Sequence, residues 1–118
     1  MRDPLKDTGR ITHMLEMAQI LASEKTRHSL SDIQTDTVLF YGLSKMVEII
    51  GEAAYKITRE FKESHGELPW RQIEGMRHIL VHGYYRISPE VLWDVIENDI
   101  PALIPMLVHY SEELRNDV

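Results

Sequence analysis

DTVLFYGLSKMVEIIGEAAYKITREFKES, residues 36–64, carries its apolar side chains at spacings of three and four. Leu39, Leu43, Met46, Ile50, Ala53, Ile57 and Phe61 make one stripe, which Phe40, Val47 and Ala54 widen. That period is the α-helical one, and nothing in the stretch alternates with the period of two that a strand requires. The pattern predicts one long helix from about Asp36 to Ser64. An apolar girth this broad must touch more than one neighbour. Gly42 and Gly51 lie inside it, each at a cost of about 1 kcal/mol relative to alanine. Close approach of other helices accounts for them. The competing reading, that they break the helix, is opposed by a stripe that keeps its phase through both.

Outward from this helix the same period recurs. Ile11, Met14, Leu15, Ala18, Leu21 and Ala22 predict a helix over 8–26, broken by RHSLSD at 27–32. HGELP at 65–69 is a turn, and Pro69 suits the first position of a third helix. That helix is expected to end near His82–Gly83, with Gly83 as C-cap. In ISPE, residues 87–90, Ser88 is an N-cap, Pro89 a first position and Glu90 a complement to the positive helix end. Leu92, Ile96, Ile100, Leu103, Leu107 and Leu114 follow as a fourth helix, which Pro101 and Pro105 should kink or split near Asn98–Asp99. Trp70 and Trp93 read as core or interface anchors. The expected architecture is all-α, a bundle of four to five helices in one domain over 1–118.

Composition narrows the functions. The chain has 118 residues and no cysteine, which removes disulfides and thiolate chemistry. No apolar run reaches the ~20 residues that span a bilayer, and MRDPLKD at 1–7 lacks the apolar segment of a signal peptide. Cytoplasmic residence is the expectation. A net charge of −6 argues against a general nucleic-acid coat. Residues 71–87, however, carry three Lys/Arg against one Asp/Glu, whereas 88–118 carry one against seven.

That basic island contains MRHILVHGYYRI, residues 76–87, dense in arginine, histidine and tyrosine. Arginine grips phosphate in a bidentate fork without losing its proton. Histidine exchanges a proton at neutral pH. Arg77 and His82 therefore suffice for metal-free RNA cleavage, with the histidine assisting the 2′-hydroxyl or the leaving oxygen and the arginine stabilising the phosphorane. On a straight helix they point about 140° apart, so they would share a cleft only if the helix ends at His82 or a second copy supplies the other wall. Spacing alone favours a plainer reading, a helix-end salt bridge with a capping histidine. Tyr84 and Tyr85 could stack on a base or be modified, though a tyrosine more often buries its ring. His78 and His82, one turn apart, could grip a metal. Without a matching Asp/Glu third ligand no metal is expected, and no cofactor is expected either.

ELPWRQIEGMRHILVHGYYRI at 67–87, VEIIGEAAYKI at 47–57 and VLWDVIENDIPALIPML at 91–107 together resemble the HepT-like branch of the HEPN superfamily. The likeness covers nearly the whole chain and is loosest over 1–35. It implies a helical bundle forming a two-fold homodimer, with a conserved arginine and histidine meeting in a cleft at the interface. It also implies a metal-independent ribonuclease acting as a toxin beside a minimal nucleotidyltransferase antitoxin, which silences it by attaching AMP to a tyrosine. By position, Arg77 and His82 become catalytic and Tyr84 the modification site. His78, Tyr85 and Arg86 are candidate phosphate or RNA contacts. A facing copy of the third helix would also remove the 140° difficulty. The alternative is a catalytically silent subunit that binds nucleotide or substrate for the nucleotidyltransferase. A third reading is a plain helical interaction module.

Overall fold

A computed structural model of the chain describes residues 6–79 and 88–116. Among these residues all regular structure is helical: α1 (Asp7–Arg27), α2 (Leu30–Thr35), α3 (Thr37–Lys56), α4 (Arg59–Ser64), α5 (Trp70–Gly75), α6 (Pro89–Asp94) and α7 (Ile100–Asn116). A 3-10 turn, Met76–His78, extends α5, and a π-helical turn, Val95–Asp99, joins α6 to α7. The all-α bundle is as expected, in more pieces than expected.

α1 lies against both α3 and α7. Ile11, Met14, Ala18 and Leu21 meet Val47, Ile50 and Ala54 of α3 and Leu103 and Leu107 of α7 in one buried core. Each fully buried Ile or Leu contributes about 1.5–3 kcal/mol over its exposed state. Trp70 is buried in this core and Trp93 packs at its edge. No described helix is long and apolar enough to cross a membrane.

The helix expected over 36–64 is two helices. α3 stops at Lys56, Ile57 is extended (φ −60°, ψ 142°), and Thr58 caps α4. The cause is a buried carboxylate at the start of α1. The Thr58 backbone N–H donates to Asp7 Oδ1 at 3.1 Å and its hydroxyl donates to Oδ2 at 2.7 Å. The same hydroxyl accepts from the Phe61 N–H at 3.2 Å. An unbroken helix would instead use the Thr58 N–H on a carbonyl four residues back. The apolar stripe conceals the break, because Ile57 and Phe61 stay buried on either side of it.

RHSLSD both breaks and starts. Ser29 caps α2 in a reciprocal box with Asp32, whose side chain accepts from the Ser29 N–H at 2.8 Å. Pro69 sits one position earlier than expected, as the N-cap of α5. Ser88 caps α6 with Pro89 at its first position, as expected. The expected split near Asn98–Asp99 is the π turn, whose last bond runs from the Ile100 N–H to the Val95 carbonyl. Pro101 cannot donate to the Glu97 carbonyl four residues back, and Lys25 Nζ of α1 does so at 3.4 Å. Pro105 lies within α7 without ending it.

A polar cluster fixes the 65–69 turn and so the start of α5. The His65 carbonyl accepts from Trp70 Nε1 at 2.8 Å. Tyr110 donates its hydroxyl to Glu67 at 2.6 Å, and burial, then this hydrogen bond, push its pKa up. The His65 ring stacks on Phe61, with Nδ1 2.8 Å from the Phe61 carbonyl and Nε2 2.5 Å from Glu113. A carbonyl only accepts, so Nδ1 carries a proton, and a second proton on Nε2 is what a carboxylate favours. Burial of the ring lowers its pKa, but the hydrogen bonds to Glu113 and Phe61 and the charges of Glu113 and Glu67 outweigh it, leaving it above 6.5. The folded chain thus holds a proton that the unfolded chain releases first. That stabilisation is complete below about pH 6.5 and fades as pH rises through the folded-state value. Thermal melts taken from about pH 6 to 8 should show stability falling with pH. Glu113→Gln should flatten that slope.

Candidate active site

The site begins with a contact between two backbones. A Cβ on Gly51 would lie 2.1 Å from the Arg77 nitrogen, 2.7 Å from the Met76 carbonyl carbon and 2.9 Å from the Arg77 Cα. Only glycine lets the 3-10 turn lie so close on α3. Gly42, read the same way from sequence, is different: a Cβ there would meet nothing within 4 Å. It is exposed on the outer side of α3, and nothing among the described residues explains its choice.

Close approach at Gly51 decides where the arginine goes. Tyr55 stands one turn further along α3, on the same face as Gly51. The Arg77 guanidinium carbon lies over the Tyr55 ring, 3.8 Å from its centroid. Among the described residues no carboxylate comes within ion-pair distance of Arg77, although Lys62 pairs with Glu74 at 2.6 Å and Arg10 approaches Asp7 at 3.6 Å. The guanidinium therefore keeps its whole charge while one ring orients it. This disposes of the salt-bridge half of the plainer reading of Arg77 within the described part of the chain.

His78, the next residue, turns elsewhere. In a 3-10 turn successive side chains diverge by about 120°. His78 is half-buried and lines an open cleft of about 720 Å³ between the α5 end and α6–α7, with Leu68, Met76, Ile79, Val95 and Leu103. Arg77 does not line that cleft. The structure thus places these two sequence-predicted residues on different sides of one turn. The straight-helix projection that set Arg77 and His82 about 140° apart does not carry over either, because the backbone at Arg77 is 3-10 and not α. His82, Tyr84, Tyr85 and Arg86 lie outside the described residues, as does the Gly83 cap.

A second basic feature escaped the sequence reading. Lys6, Arg10 and His13 of the α1 end join Lys56 of α3 around a groove of about 360 Å³ that also holds Glu52. Residues 6–13 and 56 are too far apart in sequence for any local charge count to join them. Among the described residues no group of three His, Asp or Glu side chains could hold a metal ion.

A family model described as ribonuclease HepT-like matches residues 11–109. The chain belongs to the HepT-like family. A protein of Caldanaerobacter subterraneus subsp. tengcongensis, provisionally named an RNase, is 34% identical over 93 residues, covering 79% of this chain and 83% of its own. A "Probable ribonuclease HepT" of Thermococcus cleftensis is 34% identical over 103 residues, covering 86% and 87%. A provisionally named RNase of Methanocaldococcus jannaschii is 32% identical over 114 residues, covering 97% and 80%. No solved structure gives a significant match. Both elements that form the Gly51–Arg77 contact fall inside the matched region of this HepT-like chain.

The two glycines make a paired test. Gly51→Ala forces a methyl into backbone and should destabilise by about 1–3 kcal/mol or more. Gly42→Ala adds a methyl in open space and should stabilise by up to about 1 kcal/mol. Urea unfolding midpoints of the two variants should move in opposite directions.

Proposed function

We propose that this HepT-like chain is a metal-independent RNA endonuclease and the toxin of a pair whose antitoxin is a minimal nucleotidyltransferase. The observation that carries the reading is Arg77, half-buried, seated on an aromatic ring, and without a carboxylate partner among the described residues. An arginine placed so is suited to an incoming phosphate. The relatives' ribonuclease names support the same chemistry. The role of His82 rests on its place in the family motif.

In the reaction we infer, Arg77 binds the scissile phosphate and neutralises the charge that grows on its oxygens. His82 takes the proton of the ribose 2′-hydroxyl, whose oxygen attacks phosphorus. The bond from phosphorus to the 5′-oxygen breaks, and that oxygen takes a proton from water, to which His82 then returns its own. The products are a 2′,3′-cyclic phosphate and a 5′-hydroxyl. A two-fold homodimer, acting in the cytoplasm, would face two copies of the motif across one cleft. AMP attached to Tyr84 by the antitoxin would add phosphate charge and a base at its mouth, repelling RNA.

Expression of the chain alone should arrest growth and degrade RNA, and Arg77→Ala and His82→Ala should abolish both. Loss of one acid–base group costs about 10²–10⁴ in rate, so near-native cleavage by His82→Ala would make that histidine structural. RNA binding without cleavage by wild type would favour the silent-subunit alternative.

Cleavage should survive EDTA; loss with recovery on adding Mg²⁺ or Mn²⁺ overturns the arginine–histidine mechanism. Tyr84→Phe should stay toxic yet escape neutralisation, and intact-mass spectrometry should find added AMP on wild type only. Equal gain on both proteins would move the modification to another residue, with Tyr85 first.

A further inference from the structure

We infer that Tyr55 is the positioning residue of the site: its ring holds the Arg77 guanidinium in place for a phosphate without consuming the donors or the charge that the phosphate needs. The inference rests on the reading of Arg77 as the phosphate-binding residue. It assigns a role to a side chain outside the arginine–histidine motif, on a different helix.

Three observations carry it. The guanidinium carbon sits 3.8 Å from the Tyr55 centroid, within the range of cation–π contact. The arrangement is built in and not incidental, because Gly51, four residues before Tyr55, admits the Arg77 backbone where no other residue would. The Tyr55 residue is 40% exposed, so the contact lies at the surface, where a polymer can reach it.

The physical consequence follows from how guanidinium binds. Its five N–H donors radiate in the plane of the group. A ring over its face touches none of them, so the fork that grips a phosphate remains open. A carboxylate would orient the arginine equally well, but it would occupy two donors and cancel the charge. Orienting by a ring is thus compatible with anion binding in a way that orienting by an acid is not. It also limits the rotamer freedom that a long side chain must otherwise lose when substrate arrives.

Three substitutions at position 55, made in the full chain, separate this role from a structural one. Tyr55→Phe keeps the ring and should stay within about 2-fold of wild type in RNA affinity. Tyr55→Leu keeps bulk but loses the ring, and should weaken affinity about 2- to 5-fold, the worth of an exposed cation–π contact. Tyr55→Glu, a good helix former at an exposed site, should fall close to Arg77→Ala, because it substitutes an ion pair for the ring. The effect should appear in KM and in the Kd of a non-cleavable 2′-O-methyl RNA more than in kcat.

Wild-type affinity in Tyr55→Glu overturns the inference. So does a Tyr55→Phe loss as large as that of Tyr55→Leu, since the hydroxyl and not the ring would then matter. The arginine Nε–Hε resonance of Arg77 supplies a readout independent of cleavage. It should be ring-current shifted in wild type and Tyr55→Phe, unshifted in Tyr55→Leu, and should move on titration with inorganic phosphate. An unshifted wild-type resonance sinks the inference whatever the enzyme does. A shifted, phosphate-responsive resonance in a chain that cuts no RNA would uphold the Tyr55 role and refute the ribonuclease reading.

Discussion

Contact between the Gly51 backbone of α3 and the Met76–Arg77 backbone of the 3-10 turn sets the geometry of everything around the site. Two backbones that close leave no room for a side chain between them, so the turn can neither slide along α3 nor lift from it without opening a void. Interiors are close-packed, and such voids are costly. The register of the turn on α3 is thereby fixed, and with it the direction of the Arg77 side chain. Tyr55 lies one helical turn onward because helices place residues i and i+4 on one face. One glycine thus couples the packing of the bundle to the orientation of a cation.

The elements that make this contact are anchored at their ends by polar groups. Asp7 ends α3 and starts α4 through Thr58. Lys62 and Glu74 tie α4 to α5. His65, Glu67, Tyr110 and Glu113 hold the intervening turn against α7. Asp7 and Thr58 are buried, where a lost partner costs more than the bond is worth on average. The polar groups work as position markers more than as sources of stability, since they define where each short helix begins. Helices of six residues, as α4 and α5 are, cannot hold themselves in water and take their geometry from such ties.

An acidic protein keeps a cation available only by holding it away from its own carboxylates. The net charge is −6, yet no described carboxylate pairs with Arg77. Screening limits the reach of the remaining acidic groups to about a Debye length, ~8–10 Å at ordinary salt. The ring on which the guanidinium lies carries no charge to pair with it. The mainly apolar cleft beside His78, which Glu67 and Asp99 also line, does not include Arg77.

Periodicity determined the helical class and the apolar faces, and capping residues and prolines the Ser88–Pro89 start and the disturbance before Pro101, because these depend on residues within a turn or two of each other. The cluster around Arg77 was legible for the same reason, and the family through its resemblance to known sequences. Local pattern could not show that α3 ends at Lys56, since the stripe stays in phase across a break imposed by Asp7, 51 residues away. Nor could it tell Gly42 from Gly51: both are glycines in one helix, and only the packing shows that one meets a backbone and the other nothing. The pairing of Arg77 with Tyr55 and of His65 with Glu113 was equally hidden. Charges and rings act over a few ångströms, and which of them come within that range is decided when the helices pack.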